Sequence, residues 1–201
     1  PASATLAMAA KARELKSQGV DIIGLSLGEP DFNTPEFIKD AAIQAVKDNY
    51  NSYSPVDGYA DLKEAICNKF KRDNGLDYKP SQVVVSTGAK QSIANLCMVL
   101  LNPGDEVLLP APYWVSYSAI ATLAEAKSII IPSSIETDFK ITPEQLEAAI
   151  TPKTKLVMFN SPNNPSGTIY TEAEYRALGK VLEKYPDIYI LSDEIYELIN
   201  Y

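Results

Sequence analysis

No histidine occurs among the 201 residues. That absence removes Ser-His and Cys-His nucleophile pairs and most transition-metal sites from this chain, so acid–base work falls to Lys, Tyr, Asp or Glu. Cysteine is nearly as scarce: Cys67 and Cys97 stand alone, without the paired-ligand spacing of a metal centre. Cys97 lies in an apolar, helix-like run, so both read as reduced, structural thiols of a cytoplasmic protein. Positive charge is in deficit, with 18 Lys and Arg against 26 Asp and Glu and a net charge of −8. No basic block interrupts this balance, which argues against nucleic acid or an anionic membrane as the main partner. The apolar stretches fall far short of a membrane span, and Pro1-Ala2-Ser3-Ala4-Thr5 lacks the charged-then-apolar pattern of a secretion signal. There is no internal repeat and no low-complexity segment. What remains, 46% hydrophobic and 22% charged, is an ordinary globular composition in a chain long enough to bury a substantial core.

The periodicity predicts a helix over 5–18 stopped by Gly19, then a short strand Ile22–Leu27. Thr34-Pro35-Glu36 opens a helix, with Thr34 as N-cap, that should bury Phe37, Ile38, Ala41, Ala42, Ala45 and Val46. A second amphipathic helix places Leu62, Ile66 and Phe70 on one face. From there strands and helices alternate, which implies a parallel α/β sheet. The strands are Gln82–Ser86, Glu106–Pro110, Lys127–Pro132, Lys155–Phe159 and Ile188–Leu191. Between them lie a helix over Ala89–Leu101, apolar enough to be buried on several sides, and one around Tyr113–Ala124. Two more open at the capping-box spacings of Thr142 and Thr171.

Chemistry gathers just past the strand ends, where an open parallel sheet binds ligands. Ser86-Thr87-Gly88-Ala89-Lys90 turns a strand directly into a helix N-terminus, a phosphate site or a packing turn. Trp114, the only tryptophan, offers a face for a flat ligand or an aromatic for the core. Asn164 lies in Asn163-Asn164-Pro165-Ser166-Gly167, where a turn alone accounts for the proline and glycine. Asp193, directly after an apolar run, needs either an arginine of the fold or a cationic ligand atom as partner. With Tyr196 it adds a carboxylate and a phenol to the Asn164 amide. Such a set suits an aromatic, hydrogen-bonding cofactor better than a core.

Six segments, in this order and spacing, carry a family resemblance: Leu27-Gly28-Glu29-Pro30-Asp31-Phe32, Tyr53-Ser54-Pro55-Val56-Asp57-Gly58, Gly88-Ala89-Lys90-Gln91, Pro112-Tyr113-Trp114-Val115-Ser116-Tyr117, Asn163-Asn164-Pro165-Ser166-Gly167 and Ser192-Asp193-Glu194-Ile195-Tyr196. Together they resemble the fold-type I, class I and II aminotransferases that use pyridoxal 5′-phosphate (PLP), most of all the bacterial aspartate aminotransferase branch. The resemblance implies an α/β, three-layer α/β/α large domain. Its mostly parallel, seven-stranded sheet is ordered 3-2-4-5-6-7-1, and strands 1 to 5 lie in this chain. Residues 1–32 would be an N-terminal arm and small-domain segment, and 33–201 the PLP-binding large domain, incomplete on its C-terminal side. Asp193 would pair with the protonated pyridine nitrogen, and Asn164 and Tyr196 would hydrogen-bond the phenolic oxygen. Trp114 would stack on the ring, and the N–H groups of Gly88 and Ala89 would hold the phosphate. Tyr53 would reach the phosphate of a second subunit in a homodimer. Gly28 would approach the substrate α-carboxylate, Lys90 the distal carboxylate of aspartate or glutamate, and Thr5 and Ser3 would belong to a segment closing over the site. For Lys90 a helix-start lysine directed to water stands beside that role.

The imine-forming lysine of the family should follow Tyr196 by some tens of residues, as should the arginine that clamps the α-carboxylate and a basic phosphate ligand. All fall after residue 201, and Lys90, Lys180 and Lys184 do not match the imine position. The expectation is therefore the N-terminal half of an enzyme about twice as long, inactive without the remainder. The complete protein would move an amino group reversibly between an amino acid and a 2-oxo acid. Alternatives are an aromatic or prephenate/arogenate aminotransferase, a PLP-dependent carbon–sulfur lyase, and a non-catalytic PLP- or phosphate-binding fragment.

Overall fold

The computed structural model describes residues 4–24, 28 and 32–199, with side chains from residue 6 onward. They divide into two compact units, 1–54 and 55–201. In the first, helix α1 (Ala4–Ser17) ends before Gly19 as expected. The short strand expected at Ile22–Leu27 is absent from Ile22 to Gly24, and Leu25 to Leu27 lie outside the described residues. Helix α2 (Glu36–Lys47) is capped at Pro35 rather than Thr34. Pro35 is extended, with φ −53° and ψ 144°, so helical geometry starts one residue later than a Thr34 cap requires. The six apolar residues expected to be buried on α2 are not; Phe37 is 74% and Val46 71% exposed. An amphipathic stripe is buried only where another element covers it, and no described residue covers this one.

The second unit opens with α3 (Ala60–Lys69), which runs into a single π turn over Phe70–Asn74. Cys67 is buried there, Ile66 and Phe70 are half-buried, and Leu62 is exposed. Helix α4 (Ala89–Leu100) follows, then strand β1 (Glu106–Pro110), α5 (Ser116–Leu123), β2 (Lys127–Ile131), α6 (Pro143–Ala149), β3 (Thr154–Asn160), α7 (Glu172–Leu182) and β4 (Tyr189–Asp193). Both predicted capping boxes form: the Thr142 and Thr171 hydroxyls accept from the N–H groups of Gln145 and Glu174.

The four strands make one parallel sheet in the order β2-β1-β3-β4. Successive strand residues point to opposite faces, and the packing obeys this. Val107, Leu109, Leu156 and Met158 join α4 and α5 in one cluster around Cys97 and Tyr117. Leu108, Val157 and Phe159 join α6 and α7 in another around Leu146 and Leu178. The result is three layers, α/β/α. Both cysteines are free, and burial pushes the Cys97 thiol up to about 11.

Two expectations need correction. The segment Gln82–Ser86 is not a strand: Gln82 ends a 3₁₀ turn, and Val83–Ser86 joins no ladder among the described residues. The two inner strands already have neighbours on both sides, and the expected order puts two further strands between this segment and β4. Val85 instead donates its N–H to the Asp57 carbonyl at 3.1 Å, against Gly58. A Cβ on Gly58, whose φ is +100°, would stand 2.5 Å from the Val85 side chain, so this contact requires glycine. Nor is α4 buried on several sides; Ile93 and Cys97 are buried, whereas Met98 and Val99 are 60% and 82% exposed. No helix among the described residues is long and apolar enough to cross a membrane.

Candidate active site

Three strand ends and one helix start contribute the candidate residues of the second unit. Asp193 closes β4 at 9% exposure. Its Oδ2 accepts the Tyr117 hydroxyl at 2.7 Å and its Oδ1 the Ile195 N–H at 3.2 Å. No lysine or arginine among the described residues pairs with it. Of the two partners the sequence left open, no arginine among the described residues takes that place; the carboxylate is met by a phenol and a backbone N–H. Burial first, and then the bond to Asp193, push the Tyr117 hydroxyl far above its ordinary value, so it stays a neutral donor.

The structure brings Asn164 and Tyr196 together: the Asn164 Nδ2 donates to the Tyr196 hydroxyl oxygen at 3.1 Å. That leaves the phenol's own proton for another acceptor. The loop bearing Asn164 is tied to itself, with the Gly167 N–H on the Asn163 carbonyl at 2.8 Å and the Ser166 hydroxyl on the Asn163 Oδ1 at 2.8 Å. The Asn163 Nδ2 also reaches the Pro112 carbonyl at 3.3 Å, joining this loop to the one carrying Trp114. Past Tyr196, Glu197 forms an ion pair with Lys69 at 2.6 Å, which anchors that segment to α3.

Trp114 is half-buried, edge-on to Tyr117 at 5.6 Å and 90°. The Lys90 ammonium lies 4.8 Å from its ring centroid, a cation–π contact at an exposed position rather than a lysine directed only to water. At the start of α4, Gly88 takes φ +85°, and its N–H is engaged by the Ser86 carbonyl at 2.8 Å. The N–H groups of Ala89 and Lys90 donate to no partner among the described residues. Open donors at the positive end of a 12-residue helix suit an anion. Taken with the Asp193 carboxylate, which has no cationic partner among the described residues, they suit a ligand that carries both a cationic and an anionic group.

Gly28, Tyr53 and Thr5 belong to the first unit. The Tyr53 side chain is fully exposed, Gly28 is exposed, and Ser3 and the side chain of Thr5 lie outside the described residues. Two residues escaped the sequence reading. Tyr117 stood at the end of the fourth family segment without a role of its own, and Asn160 was visible only as the polar residue ending an apolar run.

Residues 20–201 match the family model for aminotransferase class I and II. The chain is 54% identical over 197 residues to the aspartate/prephenate aminotransferase of Nitrosomonas europaea, covering 98% of this chain and 50% of that one. It is 52% identical over 199 residues to the aspartate aminotransferase of Bacillus subtilis, covering 99% and 50%. Among solved structures, the aspartate aminotransferase of Rhizobium meliloti superposes with a TM-score of 0.95 at 46% identity, over 100% of this chain and 50% of that one. That of Thermus thermophilus with maleate gives 0.94 at 44%, over 98% and 51%. The chain thus spans about half the length of the relatives it matches. On the match from residue 20 to residue 201, and with its buried carboxylate, amide and phenol at adjoining strand ends, this chain belongs to the class I and II aminotransferases.

Proposed function

We propose that the complete protein containing this chain is a PLP-dependent aminotransferase that moves an amino group between aspartate or glutamate and a 2-oxo acid. The observation that carries the reading is the buried Asp193 carboxylate, without a cationic partner among the described residues, beside the Asn164–Tyr196 pair. Bound there, PLP supplies a ring that accepts the electron pair left when an amino acid loses its α-proton. Asp193 holds a proton on the ring nitrogen, and Tyr117 fixes the direction of that carboxylate. Tyr196, already accepting from Asn164, donates its own proton to the phenolic oxygen. Trp114 covers the ring, Gly88 turns the chain into α4, and the N–H groups of Ala89 and its neighbour take the phosphate. Lys90 takes the distal substrate carboxylate, and Gly28 and Thr5 keep the substrate roles that the family resemblance implies for them. The lysine that attaches the cofactor is, on the family resemblance, expected outside residues 1–201.

Residues 1–32 are then the arm and small-domain segment, and 33–201 belong to the large domain. The exposed Tyr53 is available to a second subunit of a cytoplasmic homodimer. Relatives named for aspartate support the dicarboxylate reading, and the name shared with prephenate makes that 2-oxo acid a second acceptor to test. Neither the carbon–sulfur lyase nor the non-catalytic alternative is favoured by these names.

The test is amino transfer from aspartate to 2-oxoglutarate and to prephenate by the complete protein. Asp193→Ala should lower kcat/KM by about a hundredfold or more. A parent protein that takes up PLP yet transfers no amino group from any dicarboxylic amino acid would defeat the reading.

A further inference from the structure

We propose that Asn160 is a positioning residue that sets the Asp193 end of the site against the Asn164–Tyr196 end. This rests on the reading of the site as a PLP site. Asn160 is the last residue of β3, and the ladder pairs it with Asp193, the last residue of β4. It is 5% exposed, so both ends of its amide need partners. They have them. Its Nδ2 donates to the Asp193 carbonyl at 2.9 Å, and its Oδ1 accepts the Asn164 N–H at 2.7 Å. Turning the amide over would set N–H against N–H and oxygen against oxygen, so one orientation satisfies both.

The consequence is mechanical. The β3–β4 ladder ends at this pair, and beyond it two loops leave the sheet separately. One bears Asn164 and is tied mostly to itself; the other bears Tyr196 and is tied through Glu197 to α3. Their side chains meet through the Asn164–Tyr196 bond, but the backbones behind them are joined by Asn160. A side chain with two torsions therefore fixes the spacing between the carboxylate, which would face the ring nitrogen, and the amide, which would serve the phenolic oxygen. Asn160 itself acts on the cofactor only through Asp193 and Asn164. Such a supporting shell holds contacting groups within a narrow range.

The test uses the complete protein as Asn160→Ala, Asn160→Asp, Asn164→Ala and the double variant Asn160→Ala/Asn164→Ala. The readouts are the PLP dissociation constant, from titration of the cofactor-free protein, and the pH midpoint of the bound cofactor's visible absorbance. Asn160→Ala should weaken PLP binding about five- to tenfold, the loss of roughly one net buried hydrogen bond's worth of positioning. It should also raise the midpoint, because a donor to an anionic oxygen is displaced. Asn160→Asp keeps the acceptor for Asn164 but opposes the Asp193 carbonyl, so it should weaken binding with a smaller midpoint shift. In the Asn164→Ala background, Asn160→Ala should move the midpoint no further, since that effect runs through Asn164. An Asn160→Ala protein that binds PLP within twofold of the parent, or midpoint shifts that simply add, overturns the proposal. If Asn160→Ala fails to fold, unchanged binding by Asn160→Asp overturns it instead. A parent protein that takes up no PLP overturns the reading of the site itself, and the proposal with it.

Discussion

Asp193 brings a carboxylate to a place where 9% of its surface meets water, and the side chain on its Oδ2 is a neutral phenol. A buried charge without a cationic partner is costly, so the residue is shaped for a ligand rather than for stability. Tyr117 bears part of that cost. Tyr117→Phe keeps the ring in its cluster against Trp114 but removes the donor, and it should destabilise the folded protein by about 1–3 kcal/mol. PLP affinity should fall with it; denaturant titration with and without PLP measures both, and an unchanged midpoint in each would remove Tyr117 from the site. At this scale the sequence was informative where a residue type is rare or out of place. Asp193, Asn164, Tyr196 and Trp114 each stand in a motif, and the structure brings Asn164 to Tyr196 and Trp114 to Lys90. The roles of Asn160 and of Tyr117, although the latter also stands in a motif, were not legible, because their importance lies in what the fold sets opposite them. A strand-ending Asn and a helical Tyr have ordinary local explanations.

Among the elements, those with a local cause were readable and those needing a distant neighbour were not. Capping boxes at α6 and α7 formed at the predicted residues because their bonds span three positions. The stripes on α2 and α4 were correctly apolar, but burial depends on a covering element. Segment 83–86 had strand composition without a ladder. The start of α7 also carries an electrostatic element: Lys140 bridges Glu174 at 2.8 Å and Asp138 at 3.2 Å. Its bond holds the Glu174 carboxyl below the ordinary 4.5. A carboxyl depressed on folding contributes stability above its unfolded value and loses it as pH falls through the folded one. Lys140→Met should therefore cost about 0.5–1 kcal/mol at pH 7, a modest figure because Glu174 is partly solvated. The gap to the parent should close as the pH drops below 4.5. Denaturant midpoints at neutral and acidic pH check the sign; a gap that widens on acidification would contradict it.

The molecule as a whole joins an unremarkable composition to a demanding topology. Family and fold class were legible from the order of six short segments, three of which lie at the ends of β1, β3 and β4, where a parallel sheet points its loops the same way. The number of paired strands was not, since pairing is a property of the assembled sheet. The order β2-β1-β3-β4 has a temporal consequence. As the chain leaves the ribosome, β1 and β2 can pair first; β3 then meets the open side of β1, and β4 the open side of β3. Each new strand finds a ready template, and none must be inserted between two already joined. Synthesis can thus run as assembly in one direction, with the N-terminal parts organised first. Pulsed hydrogen exchange on stalled nascent chains should show β1 protected before β4 emerges; protection of β1 that waits for β4 would mean the sheet closes all at once.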